Sequence, residues 1–136
     1  MAIYGIGAYY GYDVRQDFII SNLVGVGWDS TDAPELQEYF KLLKVGDIVY
    51  LKAAFGGSPN ITVKGIGIIK DNITRDRQDT NGLVETGRNV VWLNTEHFVI
   101  PRPTEKLNVR SNTVYEEFHP IVQSEIIAKI SQQIAK

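Results

Sequence analysis

The alternation of apolar and polar positions divides the chain into short elements. The run "AIYGIGAYY" (2–10) is rich in aromatic and β-branched residues and predicts a strand. In "DVRQDFIISN" (13–22), Val14, Phe18 and Ile19 fall at helical spacing, so a short helix is expected. "LVGVGW" is apolar, but its glycines favour a turn or irregular passage over a strand. The clearest helix is 33–44. Ser30, Thr31 or Asp32 can cap it, Pro34 sits near its first turn, and Leu36, Tyr39, Phe40 and Leu43 form one face. Gly46 and Asp47 stop it, and "DIVYLKAAF" (47–55) follows as a strand. A turn at "GGSPN" leads into a returning strand at 61–71, and "NITRDRQDTNG" (72–82) reads as a polar loop. Further strands are expected within 83–87 and 88–100. "TVYE" (113–116) has capping-box spacing, and the tail places Ile126, Ile127, Ile130 and Ile134 on one stripe of a closing helix.

These elements are not a regular alternation of strand and helix, which disfavours a doubly wound parallel sheet. The expectation is an α+β domain spanning 1–136, with a small, mostly antiparallel curled sheet or open β-barrel flanked by two or three helices. On the β3-like run 47–55, alternation puts Val49, Leu51 and Ala53 on one face and Ile48, Tyr50, Lys52 and Ala54 on the other.

Composition narrows the function more by exclusion than by assertion. The 136 residues suit one domain, and no apolar run approaches the ~20 residues of a membrane span. The N-terminus lacks the pattern of a signal peptide, and there is no cysteine, so a reducing cytoplasm is the expected setting. Fourteen basic against sixteen acidic residues argue against non-specific duplex binding through massed phosphate contacts.

Motifs for catalysis and metal binding are weak. Gly5, Gly7 and Gly11 are spaced one residue too long for a dinucleotide loop, and "GIG" at 65–67 sits inside a strand, where small residues serve bulges or close packing. His97 and His119 stand on separate segments without metal-ligand spacing, and each reads as a surface or packing histidine. Asp29 with Asp32 suits helix capping, and Asp76 with Asp79 a solvated loop. No catalytic residue, metal or cofactor is therefore expected.

The aromatics say more. Tyr9 and Tyr10 point to opposite faces if both are in a strand, so one of them is exposed or at a cleft mouth. Trp92, between Val91 and Leu93, reads as core filling. Trp28, between Gly27 and Asp29 just ahead of a helix, is as well placed to line a pocket as to fill a core.

The ordered set "GVGWD", "LQEYFKLLKVGDIVYLKAAF", "ITVKGIGIIKD" and "VVWLN" resembles the PUA-like superfamily, in particular its EVE and YTH branches. It is also similar to modules at the front of modification-dependent restriction proteins and AAA-type defence proteins. The likeness covers 24–93. It implies a non-enzymatic module that holds a flipped nucleobase of DNA or RNA, modified or unmodified, in an aromatic pocket, in a bacterial or phage defence setting. By motif position Trp28 would be the first wall and Phe55 a second, with Asp29, Ser30 and Lys52 supplying polar contacts. Gly27 departs from the family pattern, and so does the opening "GIGAYYGYDVRQDF". A flipped base needs aromatic faces and a few polar groups rather than a strong positive charge. The competing expectation keeps the fold but gives its aromatic face to a partner protein or a homodimer. A third, an enzyme acting on a small nucleotide-like ligand, would need a histidine beside a hydroxyl or carboxylate.

Overall fold

The computed structural model describes residues 2–7, 15–26, 34–53, 60–101 and 114–135. In chain order they form β1 (Ile3–Gly7), α1 (Arg15–Ser21), β2 (Leu23–Val26), α2 (Pro34–Lys41), β3 (Ile48–Ala53), β4 (Asn60–Asp76), β5 (Thr86–Asn94), β6 (Phe98–Pro101), β7 (Val114–Glu116) and α3 (Pro120–Ala135). One seven-stranded sheet has the order β2-β5-β4-β3-β1-β7, with β6 also on β4. All pairings are antiparallel except β1 with β3. The fold is thus α+β, an open and mostly antiparallel sheet flanked by helices.

The alternation on β3 explains the layering. Val49 and Leu51 point into one core with Ile6, Phe18, Val24, Phe40, Leu43 and Val90, beneath α1 and α2. Ile48 and Tyr50 point into a second core on the other face, with Ile66, Tyr115, Val122 and Ile126, beneath α3. A strand apolar on both faces must be covered on both, and each buried Val, Leu or Ile contributes about 1.5–3 kcal/mol. Residues 48–51 are accordingly buried without a break.

Four expectations are corrected. "LVGV" is a strand, not an irregular passage: β2 pairs with β5, and a Cβ on Gly25 would stand 2.4 Å from Val84 Cγ1 and 2.7 Å from the Thr86 carbonyl oxygen. Glycine there permits close packing of an edge strand rather than a turn. The polar loop 72–82 is strand as far as Asp76, because β4 bulges after Ile69 and resumes pairing with Thr74 opposite Arg88. "TVYE" is not a helix cap but carries β7, whose Tyr115 pairs with Gly5. A Cβ on Gly5 would lie 2.4 Å from Tyr115 Cζ, so the bare backbone there makes room for the ring. The buried stripe of α3 is Val122 and Ile126 with Ile130 packed alongside, while Ile127 and Ile134 face outward. Pro120 opens this helix, where its missing N–H costs nothing.

On α2 the inward positions are Gln37 and Phe40, followed by Leu43, whereas Tyr39 is exposed and sets its ring edge-on against Tyr4 at 6.0 Å. The glycines of "GIG" are both paired and serve close packing: the Trp92 ring lies 3.2–3.3 Å from where their Cβ atoms would be, and the neighbouring register shifts skip Lys64 on β4 and Leu93 on β5. Trp92 packs half-buried against the α1/α2 core.

Candidate functional site

Strand directions divide the sheet into two ends. β3 ends beside the start of β4, where Lys52 pairs with Val63. β2 runs the other way and ends beside the β4–β5 hairpin, where Val26 pairs with Thr86 and Thr86 with Asp76.

Of the expected base-binding residues, Trp28, Asp29, Ser30 and Phe55 lie outside the described residues. Lys52 is described and stands at the β3 end, its ammonium 5.5 Å from the centre of the Tyr115 ring. Beneath it lies a buried polar chain. The Tyr50 hydroxyl donates to Glu117 Oε1 at 2.7 Å and is 2.7 Å from the Tyr115 hydroxyl. The other Glu117 oxygen accepts from the His119 backbone N–H at 3.2 Å. Burial, then Tyr115 and Glu117, push the Tyr50 phenol far above its ordinary value. His119 Nδ1 accepts the Ile121 backbone N–H at 3.2 Å, capping the first turn of α3.

The opposite end holds a cleft of roughly 430 Å³, between α2 and the β4–β5 hairpin. Gln37, Glu38 and Lys41 line one side, and Thr74, Arg75, Asp76, Glu85 and Thr86 the other. Gln37 and Thr86 are its buried members. The charged groups are largely paired among themselves or with neighbours. Lys41 reaches Glu38 at 3.4 Å, Arg77 donates to Glu85 at 2.8 Å, and Arg75 donates through Nε to Asp79 at 2.6 Å. Asp76 and Asp79 accept each other's backbone N–H, an exposed hairpin lock rather than a catalytic pair. The Arg75 bond holds the Asp79 carboxyl below its ordinary range.

Arg88 fixes the distance between the two sides. It is fully buried on β5, two residues beyond Thr86. One Nη donates to the carbonyls of Phe40, Lys41 and Leu43 at 3.3, 3.2 and 2.5 Å, and the other to the Asp71 carbonyl at 2.9 Å. Its cation thus meets the negative end of α2 and ties it to the β4 bulge. Burial lowers the guanidinium pKa, and Asp71 and Asp47 oppose that shift. In sequence Arg88 belongs to no local motif. Its only signal was an arginine amid the apolar alternation of 83–93.

The cleft also lies beside the end of β2. Glu85 donates its backbone N–H to the Val26 carbonyl at 2.9 Å, and α2, which begins at Pro34, supplies the facing wall. Among the described residues no group of three or more His, Asp or Glu side chains is arranged to hold a metal ion, and no helix is long and apolar enough to cross a membrane. No protein-family model matches the chain, and no curated protein matches it.

Proposed function

We propose that the protein is a nucleic-acid-binding module of the PUA-like kind, without catalysis of its own, and that the cleft between α2 and the β4–β5 hairpin receives the hydrogen-bonding edge of an extruded nucleobase. The observation that carries this reading is the cleft walled by α2 and by the β4–β5 hairpin beside the end of β2; in sequence, residues 27–33 link β2 to α2. Trp28, with Asp29 and Ser30, would supply the stacking wall and rim. The cleft volume of roughly 430 Å³ suits a base-sized ligand. Its buried members, Gln37 and Thr86, are neutral donor–acceptor groups suited to a base edge, since a buried amide or hydroxyl can pair with either kind of partner. Three carboxylates against two cations in the lining disfavour a phosphate there. Lys52 stands on β3 at the end of the sheet away from the cleft and would contact a flanking nucleotide rather than the same base.

The test is binding of unmodified, methylated and hydroxymethylated oligonucleotides to wild type and Trp28→Ala. The reading predicts measurable wild-type binding that weakens about tenfold or more in Trp28→Ala, from loss of stacking. Equal binding by the two proteins would remove Trp28 from the site, and no binding by either would overturn the proposal.

A second reading, a protein-interaction or homodimerisation domain, is favoured by the outer face of α3, where Ile121, Ile127 and Ile134 are 54%, 41% and 78% exposed. It predicts self-association or partner capture that Ile127→Glu and Ile134→Glu abolish, with no effect of oligonucleotides.

A further inference from the structure

Arg75 is held differently from the other charges of the cleft. Its Nε donates to Asp79 Oδ1 at 2.6 Å, and Nη1 donates to Asn89 Oδ1 at 2.8 Å. Asn89 is itself oriented, because its Nδ2 donates to both Asp71 carboxylate oxygens at 3.2 and 3.3 Å. Its carbonyl oxygen therefore faces Arg75, and the plane of the guanidinium is fixed from two sides. A guanidinium has five N–H donors in a rigid fork. Two are used, and Nη2 makes no hydrogen bond among the described residues. The side chain is 28% exposed and lines the cleft. Lys41 in the same lining is tethered to Glu38 instead, by a single exposed contact.

We infer that Arg75 is the specificity-determining residue of the cleft, reading a nucleobase edge that presents two adjacent acceptors, as the O6 and N7 of a guanine do. This rests on the base-binding reading above and goes beyond it by naming the edge. A fork already oriented by Asp79 and Asn89 loses little freedom on engaging a second planar acceptor pair, which is the condition for a selective bidentate contact. An adenine edge, with one donor beside one acceptor, would set an N–H against the guanidinium. The same N–H groups could also donate to two oxygens of a phosphate, so the test must separate those sources.

Single-stranded oligonucleotides carrying one central guanine, 7-deazaguanine or adenine in a thymine run are titrated against wild type, Arg75→Lys and Arg75→Gln, over a range of salt. The expected result is wild-type preference for guanine over both analogues by roughly ten- to hundredfold. Arg75→Lys, which keeps the charge but not the fork, is expected to bind all three about equally with an unchanged salt slope. Arg75→Gln removes both the charge and the fork and is expected to lose the guanine preference as well, and thermal melting reports whether it is folded. Wild-type binding without discrimination against 7-deazaguanine would overturn this inference while leaving base binding in place. No wild-type base preference, with a salt slope that is kept in Arg75→Lys and falls in Arg75→Gln, would make Arg75 a phosphate contact and overturn it too. Absence of wild-type binding to every oligonucleotide would overturn both readings.

Discussion

Arg88 on β5 and Leu43 beyond the end of α2 meet at 2.5 Å, guanidinium Nη to backbone carbonyl oxygen, inside the core. The contact belongs to a set of four carbonyls that accept from one side chain, with no carboxylate in bonding range among the described residues. Replacing Arg88 with Met removes the donor these carbonyls share, leaving the buried Leu43 carbonyl without it, and is predicted to cost about 3 kcal/mol or more. Amide exchange at the end of α2 should accelerate disproportionately. Arg88→Lys should recover part of the loss, because an ammonium can serve the helix end but not also reach Asp71. A denaturation midpoint for Arg88→Met within about 0.5 kcal/mol of wild type would contradict this role.

Gly5 is predicted to tolerate no side chain while Tyr115 is present. Gly5→Ala would set a Cβ 2.4 Å from Tyr115 Cζ and 2.5 Å from its hydroxyl oxygen. The ring must move, and with it the hydroxyl that meets Tyr50. Overpacking of this kind costs about 1–3 kcal/mol. Combining Gly5→Ala with Tyr115→Leu removes the clash, so the two losses should be markedly less than additive in a double-mutant cycle. Strict additivity would count against the contact.

The tyrosines predict how stability changes with alkali. Burial, then Tyr39, Asp47 and Glu116, raise the Tyr4 phenol from 10.0 to about 12. Tyr39 and Tyr50 shift in the same direction, burial being the first cause of each. A raised folded-state pKa gives stability that is complete below the unfolded value and lost as pH rises through the folded one. Unfolding free energy should therefore hold to about pH 10 and fall steadily between 10 and about 12. Tyr50→Phe should be less stable at neutral pH, since Glu117 loses a donor, yet show a shallower alkaline decline. Denaturation midpoints across that window, read beside tyrosinate absorbance, check both. An unchanged slope in Tyr50→Phe would contradict the assignment.

How much of this was legible in the residues depends on the range of the interaction that decided each element. Helix α2 and strand β3 were readable because capping and periodicity are local, and the two faces of β3 follow from a period of two. β2 was not, because the reason for Gly25 is Val84, far along the chain. β4 was cut short at its bulge for the same reason: the polar run 72–76 pairs with β5 in spite of its composition. β7 was hidden by a four-residue motif that also fits a helix cap, and only its pairing with β1 decides between them. The aromatic pocket rested on ring identity and motif order. The cleft beside the end of β2 consists instead of polar side chains from 37–41, 74–76 and 85–86, which no single window of sequence brings together.

The central claim is that the cleft takes a base, and amide chemical-shift mapping of the labelled chain titrated with single-stranded oligonucleotides tests it most directly. The account predicts that the largest changes fall at Gln37, Lys41, Thr74, Arg75, Asp76, Glu85 and Thr86, the two walls of the cleft. Changes confined to the outer face of α3, around Ile121, Ile127 and Ile134, or no changes at all, would contradict it.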